Sequence, residues 1–329
     1  MHLLIDADLI QYRAAFACQK ARWKASAKGV VLFEADSHRE LLALIKKAGG
    51  NPDEMELEKE IDLKPVEVVH QVIRGILSRI VEKTGADSWT LFLSDSRCHR
   101  HDIATTKPYK GGRSSKPIHY LEAKRFLLQE YGAEVVDDGE ADDAMAICQI
   151  EALGKGDTTC IVSYDKDLKQ IPGWHFDFIK EVWDRVDYLD GQRLLFKQIL
   201  IGDPTDNYGG LPRVGEKSKF VKEVYSAGDV EEMRRIVVDA YKQFGEDGKI
   251  EEWEDYLWEQ ANLAYILTGK DTMLNTDLVE VSSDMKDFDH NQEREIPSEP
   301  KERLPVPTSE KSEVNVPVTG FRATSRLSH

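Results

Sequence analysis

Apolar runs that stop at an acid recur along the first half of the chain. Leu3-Leu4-Ile5 stops at Asp6, Trp89-Thr90-Leu91-Phe92-Leu93-Ser94 at Asp95, and Cys160-Ile161-Val162-Ser163-Tyr164 at Asp165. Runs of this length read as buried strands. Helical spacing lies between them. Leu9, Tyr12, Arg13 and Phe16 follow the first run, and Val66, Val69, Ile73, Ile76, Leu77 and Ile80 mark a long amphipathic helix ending near Gly85. Further helices are expected over 120–131 and 142–153, and further strands over 133–136 and 175–179. This alternation predicts an α/β fold with a mostly parallel central sheet, flanked by helices and joined by right-handed crossovers. Residues 20–65 are the least readable: 30–33 fits a strand, 39–47 has helical spacing at Leu41, Leu42 and Ile45, and Asn51-Pro52-Asp53 marks a turn. From Phe196 the pattern turns helical, through 230–244 and 253–267. After about Asn275, Glu, Ser, Pro and Lys dominate, a composition that cannot bury enough apolar area to offset ordering. The expected division is an α/β domain over 1–195, a helical region over 196–274 and a disordered tail over 275–329.

Acids crowd between 139 and 167. In Gly139-Glu140-Ala141-Asp142-Asp143, Glu140 and Asp143 are three apart and share a helical face. Asp165 and Asp167 are two apart at a strand's end and point the same way. Val135-Val136 and Ile161-Val162 precede the acids and read as buried, so a solvated acidic face is a poor account of them. Carboxylates this close repel unless a cation compensates, and hard divalent ions with oxygen ligands do so best. Asp6 falls at the same edge, where open α/β sheets bind ligands. Asp8 beside it is expected to cap the following helix.

Composition sharpens this only in part. The chain has 329 residues, 41% of them hydrophobic, and a net charge of −16. Such a balance alone argues against a nucleic-acid partner. The charge is uneven, however: Arg97, Arg100, Lys107, Lys110, Arg113 and Lys116 face only Asp102 in their stretch. Cys18, Cys98, Cys148 and Cys160 are scattered, which fits a reduced cytoplasmic protein. No signal peptide precedes the apolar start and no apolar run is long enough to cross a membrane. Cys98, His99 and His101 lack the second ligand pair that a zinc site needs.

Two segments carry phosphate-binding chemistry. Lys107-Pro108-Tyr109-Lys110-Gly111-Gly112-Arg113 sets cations around an aromatic, suited to phosphate contact and base stacking. Gly209-Gly210-Leu211-Pro212-Arg213-Val214-Gly215-Glu216-Lys217-Ser218-Lys219 is a glycine-flanked turn opening a helix. Exposed backbone N–H groups there, with Lys217 and Lys219, would form a sequence-independent phosphate clamp.

Taken in order, these motifs resemble the 5′-nuclease family, which includes flap endonucleases and the nuclease domains of bacterial DNA polymerases, and look closest to bacteriophage 5′→3′ exonucleases. The motifs are Ile5-Asp6, the strand ending at Asp95, Tyr109-Lys110-Gly-Gly-Arg113, Gly139-Glu140-Ala-Asp142-Asp143, Asp165-Lys166-Asp167, and Gly202-Asp203-Pro-Thr-Asp206-Asn207 before the glycine turn. The resemblance implies a flap-endonuclease-like (PIN-like) nuclease domain with a C-terminal helix–two-turn–helix. It implies two Mg²⁺ ions, with Mn²⁺ as a substitute. One would be held by Asp6, Asp95, Glu140 and Asp142, the other near Asp165, Asp167 and Asp203 with Asp143 and Asp206. Lys110 and Arg113 match the basic residues over the scissile phosphate, and Tyr109 matches the stacking aromatic; Lys107 and Lys116 extend that surface. Gly210, Val214, Gly215, Lys217 and Lys219 match the duplex grip, often built around a potassium ion, although Arg213 stands where many relatives have glycine.

The implied partner is double-stranded DNA with 5′ ends, nicks or flaps, or RNA–DNA hybrids, and the implied setting is phage DNA replication, recombination or host-DNA degradation in the host cytoplasm. The tail is a candidate for binding a replication partner. Two ions about 3.5–4 Å apart clamp the attacking and leaving oxygens of a phosphodiester, so no serine or histidine nucleophile is required. The rivals are a PIN-class ribonuclease and a non-catalytic DNA-structure-binding protein. The helical region argues against the first and the full carboxylate set against the second.

Overall fold

Leu3, Leu4 and Ile5 are fully or almost fully buried, and they alternate between two layers, as successive side chains of a strand must. Leu3 and Ile5 join the core under one set of helices, while Leu4 joins a second core on the opposite face. A computed structural model describes residues 1–113 and 115–269; the expected tail, 275–329, lies outside the described residues.

The first half of the chain runs β1 (His2–Asp6), α1 (Ala7–Ala17), β2 (Gln19–Ala27), β3 (Val30–Ala35), α2 (His38–Lys47), β4 (Glu56–Leu63), α3 (Val66–Thr84) and β5 (Ser88–Leu93). It continues through α4 (Arg100–Ile103), α5 (Tyr120–Tyr131), β6 (Glu134–Val135), α6 (Ala141–Gly154), β7 (Thr159–Val162), β8 (Gly173–Asp177) and β9 (Val182–Val186). The last helices are α7 (Tyr188–Ile201), α8 (Lys219–Ser226), α9 (Val230–Glu246) and α10 (Trp253–Ala264).

The main sheet has the order β6-β5-β1-β7-β8-β9. Its first five strands are parallel, so the expected α/β architecture holds. The helices α1, α3 and α5 pack together on one face, and α6 lies on β1 and β7 from the other. The carboxyl ends of β6, β5, β1 and β7 therefore share one edge. Strand β9, unforeseen from the sequence, returns antiparallel along β8 and makes the sheet mixed. The helices α7 to α10 enclose a separate core around Ile199, Leu200, Met233, Val237 and Tyr241, which also takes in Ile103 and Tyr109. Helix α7 starts at Tyr188 and runs across residue 195. Among the described residues no helix is long and apolar enough to cross a membrane.

One expectation needs correcting, and one stretch held more than the sequence showed. Val135 is 42% exposed, because β6 is only two residues long and pairs on one side only. Residues 20–65 hold an antiparallel sheet, order β3-β2-β4, around which the sequence marked the first four residues of β3, the helix α2 and the turn at 51–53, but neither β2 nor β4. The hidden strands carry charge on alternate positions. Lys24 pairs with Glu60 across β2 and β4 at 2.7 Å, while Ala25, Ala35, Leu41 and Ile45 close the other face under α2. Alternation with alanines and charges lacks the β-branched enrichment that marks a strand. This unit is an insertion closed at its base, where the Lys64 N–H donates to the Cys18 carbonyl at 2.8 Å.

Candidate functional site

Asp6 ends β1 and caps α1: its Oδ1 accepts from the Leu9 N–H at 3.2 Å and its Oδ2 from the Ser163 hydroxyl at 2.9 Å. Asp8, expected to be the cap, instead accepts from the Ser94 N–H at 3.1 Å and ties β5 to α1. Beyond β7 the chain turns on side-chain bonds. The Asp165 N–H donates to Ser163 Oγ at 3.0 Å, and Asp165 Oδ1 accepts from the Asp167 N–H at 2.9 Å. Glu140 is the N-cap residue of α6 and Asp142 lies in its first turn. The helical region adds Asp203 and Asp206 from the turn after α7. That turn is closed by reciprocal backbone bonds between Asp203 and Tyr208 at 3.1 and 3.2 Å.

These parts line a pocket of about 150 Å³, with Glu140, Asp142, Asp165, Asp167, Asp203 and Asp206 facing Arg100, Lys110, Arg113 and Lys166. Lys110 is ion-paired with Glu140, Arg113 with Asp206 at 3.0 Å and Lys166 with Asp203 at 3.0 Å. Burial would raise Glu140, but Arg100 and Lys110 outweigh it and bring it to about 2. On the other side of the cluster the cations do not outweigh burial and like charge. Burial, then the neighbouring Asp8 and Asp165, push Asp6 up to about 7. Asp142 is raised well above the carboxylate range by burial, then by Asp6 and Asp165. Asp167 rises to about 7 through burial and Asp165, although Lys166 opposes this. Among the described residues no three His, Cys, Asp or Glu side chains converge as a ready-made ligand set, since lysine and arginine stand among the carboxylates. The donor chemistry nonetheless fits a hard divalent cation. The oxygens are crowded and short of positive charge, and Mg²⁺ needs only one or two carboxylates beside its waters.

Three of the nine expected carboxylates do not line this pocket: Asp6 adjoins it through Asp142 and Asp165, and the other two lie elsewhere. Asp95 is exposed beyond β5, and its Oδ1 accepts from the Ser96 N–H at 2.6 Å. Asp143 is buried against Arg100, with Nη1 and Nη2 reaching its two oxygens at 2.8 and 2.7 Å. The same guanidinium bonds Glu140 at 2.8 Å and the Tyr265 carbonyl. Sequence reasoning missed Arg100 as a site residue, since nothing local separates it from Arg97, which pairs with Asp102 at the surface.

Tyr109 is only 6% exposed and offers no ring face to a base. Its hydroxyl instead reaches Glu140 and Asp206. Lys107 and Lys116 are exposed, and Lys116 stands over the Tyr120 ring at 4.4 Å. Gly210 is no open phosphate clamp. Its N–H and that of Gly209 both donate to Gln260 Oε1, at 2.9 and 3.0 Å, and its carbonyl accepts from the Tyr256 hydroxyl. What requires glycine there is a φ of +57 with the backbone of Gly202 and Ile201 where a Cβ would stand. Val214 packs on the helical core. Gly215, Lys217 and Lys219 are exposed just before and at the start of α8, whose cap is Ser218. Arg213 holds φ 64, the left-handed region that glycine enters more readily. Helix α10 fastens both segments: besides Gln260 and Tyr256, its Glu259 accepts from the Thr105 and Thr106 N–H groups at 2.7 and 2.8 Å.

Fold and site together define a class: an α/β protein whose parallel-sheet edge and following helices enclose a pocket of carboxylates faced by lysine and arginine. No family model matches the chain. It is 26% identical over 176 residues to the thermostable DNA polymerase I of Thermus thermophilus, covering 49% of this chain and 21% of that protein. It is 27% identical over 187 residues to DNA polymerase I of Bacillus subtilis, covering 50% of this chain and 20% of that protein. The chain thus matches about a fifth of the length of these curated relatives. A solved structure of the T5 D15 protein with metal ions is similar at 13% identity and a TM-score of 0.49, covering 80% of this chain and 88% of that one. The sequence matches to bacterial DNA polymerases agree with the resemblance to the 5′-nuclease family read from the motifs.

Proposed function

We propose that this protein is a divalent-metal-dependent nuclease that hydrolyses DNA phosphodiester bonds from 5′ ends and at nicks or flaps, in phage DNA metabolism. The observation that carries the reading is a buried group of carboxylates: burial first, then Asp8 and Asp165, raise Asp6, and burial first, then Asp6 and Asp165, raise Asp142. Asp6, Asp142 and Asp165 would serve one Mg²⁺ and Asp167, Asp203 and Asp206 a second, directly or through its waters, once Lys110 and Lys166 leave Glu140 and Asp203. Bound there, the metal would supply a hydroxide at neutral pH and offset charge on the phosphate. Lys110 and Arg113 would turn from their carboxylates to the non-bridging oxygens, where charge develops. Arg100 stays on Asp143 and holds Glu140 in place. The helices α7 to α10 would form the duplex-binding region, with Lys217 and Lys219 contacting backbone phosphates at the start of α8. Similarity to DNA polymerases supports DNA as the substrate.

The test is cleavage of 5′-labelled and 3′-labelled duplex, nicked, flapped and RNA–DNA hybrid substrates, with Mg²⁺, with Mn²⁺ and with EDTA. Metal-dependent release of short 5′-labelled products is expected. Binding without cleavage under every condition would leave a non-catalytic DNA-binding protein, and cleavage of RNA alone a ribonuclease.

A further inference from the structure

Tyr109 stands between the two halves of the acidic pocket. Its phenol oxygen is 3.0 Å from Glu140 Oε2 and 2.9 Å from Asp206 Oδ2. Glu140 belongs to the sheet side, as the cap of α6, and Asp206 to the turn after α7 on the helical side. The neighbouring cations divide between these two: Lys110 pairs with Glu140 and Arg113 with Asp206. The Tyr109 hydroxyl lies within hydrogen-bond distance of both and shares its one proton between them. The backbone reinforces the contact, as the Lys110 N–H donates to the Asp206 carbonyl at 2.9 Å and Asn207 Nδ2 to the Pro108 carbonyl at 2.9 Å.

The ring itself is enclosed. His101 meets it edge-on at 5.5 Å, the Lys110 ammonium lies over it at 4.9 Å, and it belongs to the helical core. A buried phenol needs a polar partner, and this one has two acceptors for a single proton.

We propose that Tyr109 is a positioning residue whose hydroxyl fixes Glu140 and Asp206 relative to each other, so that carboxylates from the sheet and from the helical region face one metal–phosphate assembly. The proposal rests on the nuclease reading and deepens it. Hydrogen bonds to ligating carboxylates orient them, and their loss typically lowers metal affinity or activity by about 10–100-fold. A base-stacking residue would act through its ring; Tyr109 acts through its oxygen.

Tyr109→Phe separates the two, since it keeps the ring and removes only the hydroxyl. On a 5′-labelled nicked duplex, kcat should fall about tenfold or more with KM for DNA unchanged. The Mn²⁺ affinity of the DNA-free protein, read by EPR titration, should weaken several-fold. Wild-type kcat and Mn²⁺ affinity in Tyr109→Phe overturn the proposal, as does a loss confined to KM. Tyr109→Leu removes the ring as well; if only this variant loses DNA affinity and rate, stacking is the role. In the double variant Tyr109→Phe/Asp206→Asn the loss of Mn²⁺ affinity should be less than the sum of the single losses, and full additivity overturns the coupling. Should the wild-type protein cleave no DNA with any divalent ion, the nuclease reading fails, while the Mn²⁺ titrations still decide what the phenol does.

Discussion

Arg100 and Asp143 form a buried bidentate pair, 43 residues apart in the chain, that joins the carboxylate edge of the sheet to the segment after α10. Asp143 Oδ1 also accepts from the Leu267 N–H at 2.9 Å, and Arg100 bonds the Tyr265 carbonyl. The sheet and the helical region are thus held at a fixed separation by one guanidinium, across the pocket that both of them line.

Removing Arg100 would strip the buried Asp143 of this counter-charge and leave Glu140 with Lys110 and Tyr109. Arg100→Ala should lower the unfolding free energy by about 3–5 kcal/mol, the usual cost of breaking a buried pair from one side. Urea denaturation checks this. Arg100→Met combined with Asp143→Leu, which removes both charges, should recover much of the loss. A double variant no more stable than Arg100→Ala would show that the pair is not the source.

Asp165 lines the pocket and acts electrostatically on Asp6, Asp142 and Asp167. Asp165→Asn should abolish Mg²⁺-dependent cleavage and leave DNA binding intact or tighter, because one like charge is gone from the phosphate's path. Cleavage assays paired with fluorescence-anisotropy binding check both halves. Substantial turnover by this variant would remove Asp165 from the metal site.

The raised acids make metal-free stability depend on pH. Asp6 and Asp167 titrate near 7 in the folded protein and near the ordinary carboxylate value when unfolded. Between those values the folded state binds more protons, so their contribution to stability falls as pH rises from about 4 to about 7. His175, held neutral to about 4 chiefly by burial, acts in the opposite direction up to its ordinary value near 6.5. The informative quantity is therefore the difference between wild type and Asp167→Asn. In EDTA the variant should gain melting temperature over wild type as pH rises through this window. Added Mg²⁺ should stabilise wild type more at pH 7.5 than at pH 5.5, since the ligands must be deprotonated. Equal Mg²⁺ stabilisation at both values would contradict the raised carboxylates.

Lys110 and Lys217 should fail in different ways. Lys110 is on Glu140 inside the pocket, whereas Lys217 is exposed just before α8. Lys110→Ala should lower kcat by about 10²-fold, the loss expected when a group meeting developing charge is removed. Lys217→Ala should raise KM with kcat nearly unchanged and reduce the salt-dependence slope by about one unit. Single-turnover kinetics at several salt concentrations distinguish them, and a pure affinity loss in both variants would make the basic loop a binding surface only.

Local pattern was enough for the parallel strands and their helices. Leu3-Leu4-Ile5 and Cys160-Ile161-Val162 must be buried whatever they pack against, and Gly85 and Gly132 take the left-handed conformation that ends α3 and α5. The positions of Asp6, Glu140, Asp142, Asp165 and Asp167 at one edge follow from that pattern, because parallel strands with crossover helices present their carboxyl ends together. The antiparallel insertion over residues 20–65 was hidden, since its strands are specified by charge pairing across the sheet, which a single segment cannot display.

The sequence alone determined which residue types gather at the sheet edge; the tertiary structure decided what each of them does there. Asp143 and Asp142 are adjacent in one motif, yet α6 turns one toward Arg100 and the other into the pocket. Tyr109 lies in a basic, glycine-broken loop that reads as a phosphate-contacting, base-stacking surface, but the helical core closes over its ring and leaves only the hydroxyl to act. Gly210 lies in a turn that reads as a phosphate clamp, but Gln260 already takes its N–H. In each case the deciding partner is distant in the chain. Burial and hydrogen-bond satisfaction are properties of the assembled packing, so no local pattern encodes them.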